Sequence, residues 1–257
     1  MDDDDVEIPQ VAIRPFRCLS EASRLISGRY WLFVGLSAVA FLIGMFTPMG
    51  ILMGPMMCGL ALCYFRQQRG GEPGFDLLFK GFDHFVESLI ASLLMVAAIT
   101  ACFVPIYLAF AFGMLALGLF PMPVAGRPPQ PIGDPAFLAF FGFIFLVYTL
   151  ILVVILFVSM LFAFVYPLIV DRQMKSIPAI TTSFKAVLAN FWGMLGLTLL
   201  DGLLSLLGWT CCGVGLILVL PITFGANIIA YRRIFPEVPL SPVQPDTFGM
   251  AVDEQCD

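Results

Sequence analysis

The residue best placed to do chemistry is Asp201, in the run Thr198-Leu199-Leu200-Asp201-Gly202-Leu203-Leu204. It is a carboxylic acid inside an apolar stretch, about 16 Å along a helix from Asn190 at 1.5 Å per residue. That depth is close to mid-bilayer, where an ionisable group is costly and is by default a functional candidate. Such a group can exchange a proton or hold a cation. It can equally be a protonated acid hydrogen-bonded to a neighbouring helix, with Gly202 permitting close approach. No basic residue lies at matching depth to pair with it. Asn227, one turn before Tyr231, is a second polar candidate and suits an interhelical hydrogen bond. Pro55 and Pro221 complete the set, because a proline inside an apolar helix kinks it and frees carbonyls that neighbours or water must satisfy.

The remaining polar residues have plainer readings. Asp83, His84 and Glu87 cluster where an apolar run begins and form a solvated polar face, with a proton or cation site as the alternative. Asp171-Arg172 forms an interfacial ion pair that stops a span. The chain has 1 histidine, which excludes a His-based metal cluster. Its 7 cysteines include no C-x-x-C pair, and Cys58, Cys63 and Cys102 lie in apolar runs, where cysteine behaves as a small hydrophobe. No metal, cofactor or catalytic constellation follows, so the sequence points away from an enzyme. Basic residues are sparse and scattered, which removes nucleic acid as a partner.

The elements that must position these residues are set by composition. Of 257 residues, 60% are hydrophobic and 12% charged. A soluble domain carries about 25% charged residues; lipid is the solvent that fits the lower figure. Uncharged runs cover 30–46, 49–65, 88–120 and 136–170, and a longer one covers 191–231. A span needs about 20 apolar residues. Thr47-Pro48-Met49-Gly50 is a turn signal, so 30–65 is a tight hairpin. The stretch 191–231 is again two passes, broken at Gly208-Trp209-Thr210-Cys211-Cys212-Gly213, with Trp209 as an interfacial aromatic. Prolines exclude regular structure from 121–135. Pro105 kinks the third span.

Lysine and arginine orient the spans. Arg14, Arg17, Arg24 and Arg29 precede the first. Arg66, Arg69 and Lys80 follow the second, Arg172, Lys175 and Lys185 the fourth, and Arg232 and Arg233 the sixth. Of the 13 basic residues, only Arg127 falls on the other side. Basic loops stay cytoplasmic, which places both termini inside. The acidic start lacks the basic region of a signal peptide.

A unit repeats. Phe75, Leu78, Phe79, Phe82 and Val86 fall at helical spacing against Asp76, Lys80, Asp83 and Glu87. Ile180, Phe184, Val187 and Phe191 do so against Thr181 and Lys185. Leu19, Ala22 and Ile26 do so against Arg17, Glu21 and Arg24. Such helices lie in the membrane interface. The pattern P-x3-G-x5-[FY]-R occurs at Pro55–Arg66 and Pro221–Arg232. Pro167, before Asp171-Arg172, is a looser copy. Three units follow, spanning 16–66, 73–172 and 177–233.

The stretch Gly54-Pro55-Met56-Met57-Cys58-Gly59, Arg66, Arg69-Gly70-Gly71-Glu72 and Phe75-Asp76-Leu77-Leu78-Phe79-Lys80-Gly81-Phe82 carries a family resemblance. With the closing Gly213–Tyr231, it resembles uncharacterised bacterial multi-pass membrane proteins of the domain-of-unknown-function 975 type. More distantly it resembles the membrane domain of some glycerophosphodiester phosphodiesterases. The resemblance implies a bacterial inner-membrane protein and brings no catalytic residues.

The expected architecture is all-α integral membrane: six transmembrane helices as three hairpins, each preceded by a short amphipathic interfacial helix. Residues 1–15 are a disordered acidic N-terminus, 16–235 the membrane domain and 236–257 a disordered Pro-rich acidic tail. The leading functional expectation is a non-enzymatic inner-membrane protein that organises lipid or partner proteins. Its partners are then the bilayer and a second copy or another membrane protein. The alternative is a small transporter or channel using Asp201 and the Pro-kinked helices. A dry, phenylalanine-filled interior favours the first, and polar residues converging on one cavity the second.

Overall fold

The computed structural model describes residues 11–46, 52–116, 135–210 and 214–236, and among them every regular element is helical. The expected turn at 47–50, most of the proline-rich loop 121–135, the break at Cys211-Cys212-Gly213, the first ten residues and nearly all of the tail lie outside the described residues.

Helix α1 (Pro15–Ser27) starts on a proline, whose fixed φ suits a first turn and whose missing N–H is not needed there. It buries Cys18, Ala22 and Ile26 along one stripe, a spacing of four residues. After Gly28-Arg29 the chain bends by 105° into α2 (Tyr30–Phe46), which packs along α3 (Met53–Gln68). A short helix α4 (Phe75–Phe79) and a 3-10 turn (Lys80–His84) lead into α5 (Phe85–Ala116). Then come α6 (Pro135–Leu161), α7 (Val165–Asp171), α8 (Ser176–Ala189), α9 (Phe191–Thr210) and α10 (Val214–Ile234).

Four helical stretches are long and apolar enough to cross a membrane: Phe75–Gly113, Phe140–Asp171, Phe191–Thr210 and Gly215–Ile234. The number rises to five if the bent pair Pro15–Ser27 and Tyr30–Gly44 is one span. Helices α2 and α3, at 17 and 16 residues, are the short ones.

The helices close into a ring. Within each pair, α2 lies on α3, α5 on α6, and α9 on α10. Between pairs, α5 lies on α3, α9 on α6, and α2 on α10, which joins the last pair to the first. The short helices follow the same rule. The α4 segment packs on α3, α8 on α7, and α1 on α10. Each therefore sits on the second helix of the preceding pair, and the first unit sits on the third.

Glycines make two of these dockings close. A Cβ at Gly59 would run into the backbone carbonyl of Leu78, and one at Gly81 into that of Pro55. A Cβ at Gly225 would lie 2.9 Å from Tyr64 Cε1 and 3.2 Å from Ala22 Cβ. Gly59 and Gly225 are the two glycines of the repeated P-x3-G pattern, each at a short-helix crossing.

Several expectations need correction. Pro55 does not kink a helix. It is the third residue of α3, where the backbone N–H has no intrahelical partner to lose. The run 136–170 is not one helix: it breaks at Phe162–Phe164, three residues before Pro167, and restarts as α7. The freed carbonyl of Leu161 accepts the Ser183 hydroxyl at 2.7 Å, so the break is satisfied from α8. Helix α8 is rotated from the expected face. It buries Ser176, Ala179, Ser183, Ala186 and Val187, while Ile180 and Phe184 are only half-buried. Small residues face inward because close approach to the Leu161 carbonyl leaves no room for large ones. On the α4 segment only Leu78 and Gly81 are buried, and Phe75 and Phe79 are exposed. The packed body also begins earlier than residue 16: Val11 N–H donates to Asn190 Oδ1 at 2.8 Å, and Ile13 is buried.

Candidate functional site

Helix α9 presents Thr198, Asp201 and Ser205 on one face, since residues three and four apart stack along a helix. That face meets Asn227 of α10. Asn227 uses both amide hydrogens, donating to Asp201 Oδ2 at 2.7 Å and to the Thr223 carbonyl at 3.0 Å. The second hydrogen bond is to its own helix and fixes the amide so that the first points at α9. Asp201 Oδ1 is buried and has no hydrogen-bond partner among the described residues. A buried acceptor left in that condition costs about 1–3 kcal/mol, more when charged.

Asp201 as a residue lines a cavity of about 380 Å³, while its Oδ1 is itself covered. Ser159 of α6 and Tyr166 of α7 join Asp201, Asn227, Thr198 and Ser205 as its polar lining. Met57, Met95, Leu156, Phe162 and Phe224 supply apolar walls. Six helices, α3, α5, α6, α7, α9 and α10, thus contribute to one space. Tyr166 is held there by Ser92 of α5, oxygen to oxygen at 3.1 Å.

Tryptophans bracket the depth of the site. Trp192 and Trp209, at either end of α9, are 81% and 67% exposed. They lie about 26 Å apart along the axis, close to the ~30 Å thickness of a hydrocarbon core. Asp201 falls about 14 Å from Trp192 on the same measure, near the midpoint.

Pro55 and Pro221 do not line the cavity. Helix α10 runs unbroken through Pro221, and hydroxyls serve the carbonyls around it. Tyr64 donates to the Pro221 carbonyl at 2.5 Å, Tyr30 to that of Leu218 at 2.8 Å, and Thr223 to that of Leu220 at 3.1 Å. The proline is a clamp point for α2 and α3 rather than a ligand residue. Asp201 and Asn227 come together, a pairing that the sequence does not specify. Thr198 and Ser205 were missed, although their offsets of minus three and plus four from Asp201 are legible in the chain. Ser159 and Tyr166 carried no such signal, because the break between them hides their common face.

One turn beyond Asn227, the ends of three helices meet. Arg232 of α10 holds Asp171 of α7 through both carboxylate oxygens, at 3.0 Å each, and Tyr231 donates to Asp171 Oδ2 at 2.8 Å. Arg232 Nε also donates to Gln68 Oε1 of α3 at 3.3 Å, and its guanidinium lies 4.2 Å from the centre of the Phe65 ring. Phe65 at the end of α3 and Tyr231-Arg232 at the end of α10 therefore share one cluster. Arg172, the sequence neighbour expected to pair with Asp171, is the weaker partner at 3.9 Å. Glu87 is likewise not part of an ion site. Its carboxylate accepts the backbone N–H of Ser176 at 2.8 Å and so caps the start of α8. Among the described residues no three His, Cys, Asp or Glu side chains group as a metal site.

No family model, no curated protein and no solved structure matches this chain.

Proposed function

We propose that this chain is a six-span inner-membrane protein that binds and moves a small solute at the Asp201 cavity, as a small transporter or channel. The observation that carries the reading is Asp201, with a buried and unpartnered Oδ1, in the lining of a cavity halfway along α9. A packing role alone would be served by a residue whose polar atoms were all engaged. Polar side chains from four helices converge there, which favours transport over the dry interior that a purely organising protein needs.

The six spans are α2, α3, α5, α6–α7, α9 and α10, arranged as three hairpins. Their support is the segregation of basic residues, which puts both termini in the cytoplasm. Helices α2 and α3 are short for a span: α2, at 17 residues, sits at the lower end of the roughly 17–25 residue range, and α3, at 16, falls one short of it. The motif resemblance to multi-pass bacterial proteins supports the inner membrane as location. No catalytic role is assigned.

Flux into proteoliposomes tests the function. The wild-type chain accumulates a solute from a mixed panel, and Asp201→Asn abolishes uptake while remaining folded. Equal uptake by both proteins, or none by either across the panel, sinks the reading.

The exposed aromatics of the short helices favour a second reading, in which the protein organises lipid or partner proteins. Phe75 and Phe79 are 43% and 48% exposed, and Phe16 is 76% exposed. Apolar side chains beside Asp76 and Lys80 suit a membrane interface. The two readings are compatible, since the interface helices and the cavity use different residues.

A further inference from the structure

We infer that the ligand of the Asp201 cavity is a small organic ammonium ion with an apolar body, an assignment that rests on the cavity reading above. Charge comes first. Among the described lining residues one is acidic and none is basic. The nearest such group along α10, Arg232, is bound to Asp171 and Gln68. An anionic solute would meet a carboxyl and no counter-charge. A neutral solute would leave Asp201 to shed its charge by protonation, since an uncompensated carboxylate is costly at this depth. A cation supplies the counter-charge that keeps the Asp201 carboxylate ionised in the cavity wall.

The walls separate an organic cation from a metal ion. Calcium and magnesium ask for six or more oxygen ligands and zinc for clustered His, Cys or carboxylate ligands, and here one carboxylate is present. Met57, Met95, Phe162 and Phe224 cannot replace the water such an ion would shed. They suit the carbon body of an amine. Methionine adapts its shape to irregular ligands, and aromatic faces attract an ammonium group. A cavity of about 380 Å³ is near the lower end of ligand-site volumes, roughly 300–1,000 Å³, which limits the ligand to one ring or a short chain.

The same ammonium chemistry occurs in the headgroup of phosphatidylethanolamine. That headgroup brings a phosphate beside its amine, and a phosphate is matched by arginine or lysine. The described lining offers neither. A free amine is therefore the assigned source.

The full chain in phosphatidylglycerol nanodiscs, titrated calorimetrically against empty discs, tests this. The probes are benzylammonium and its neutral counterpart benzyl alcohol. Benzylammonium is expected to saturate a single site and to bind at least about tenfold tighter than the alcohol, the value of one charge-assisted hydrogen bond. Monodisperse Asp201→Asn is expected to bind the two equally. The wild-type comparison decides the question even if the variant does not fold. Equal affinity for both probes, absence of saturable benzylammonium binding, or sodium chloride competing as strongly as the amine overturns the ligand class. Displacement of benzylammonium by phosphatidylethanolamine added to the discs overturns the free-amine source. Asp201-dependent flux of neutral solutes without amine binding sinks this inference and leaves transport standing. Saturable amine binding without flux does the reverse.

Discussion

Arg232 and Asp171 lie 61 residues apart in the chain, yet the guanidinium engages both carboxylate oxygens at 3.0 Å. Their side chains are 12% and 11% exposed, so the pair is largely withdrawn from solvent. It joins the second and third repeat units where α3, α7 and α10 converge.

Removing one partner of such a pair leaves the other charge buried and uncompensated, a loss of roughly 3–5 kcal/mol. Arg232→Ala is therefore expected to lower the thermal midpoint in detergent sharply. Arg232→Lys should recover little, because a point charge cannot reproduce the two-pronged contact. Full recovery by lysine would show that charge, not geometry, holds the helix ends.

The Gly59 crossing gives a steric prediction. A Cβ at Gly59 meets the Leu78 backbone, whereas one at Gly142 meets nothing within 4 Å. Gly59→Ala is expected to cost about 1–3 kcal/mol, the usual range for overpacking. Gly142→Ala should be neutral or slightly stabilising in the same assay. Equal midpoints for the two variants would mean that α4 does not seat on α3.

Ser183 tests the helix break. Its hydroxyl is the described donor to the Leu161 carbonyl at 2.7 Å. Ser183→Ala keeps the small size and removes the donor. A loss of about 1–3 kcal/mol is expected from the unsatisfied carbonyl. Hydrogen exchange at 161–165 should rise in the variant, and unchanged protection would assign the break to Pro167 alone.

At Asn227 the expectation divides stability from function. Asn227→Leu strips Asp201 Oδ2 of its donor, at a cost of about 1–3 kcal/mol. Asp201→Asn instead retains an oxygen that accepts from Asn227 and removes the ionisable group. The aspartate variant should thus be at least as thermostable as wild type while losing uptake. A marked drop in its midpoint would give Asp201 a structural role.

Single-cysteine labelling of intact cells checks the orientation. A cysteine at Arg127 should react with an impermeant reagent from outside, and cysteines at Lys80 and Lys185 should not. The reverse pattern would invert the protein in the membrane.

Much of this was legible in the chain itself. Apolar runs mark the helices, and the placement of 13 basic residues is the basis of the proposed sidedness. These are solvent-partition properties, and each residue contributes to them independently of its neighbours in space. Asp201 also stands out by that logic, as a lone acid in an apolar run. Tertiary structure decided which polar groups meet. Asp171 chose Arg232 over its sequence neighbour Arg172, and Glu87 went to the amide of Ser176. Ser159 and Tyr166 reached the Asp201 cavity only because α6 breaks ahead of Pro167. Hydrogen bonds and ion pairs act over about 3 Å and depend on angle, so helix crossing and rotation determine them. Neither quantity is written in periodicity, which fixes the apolar character of a face but not the partner it meets.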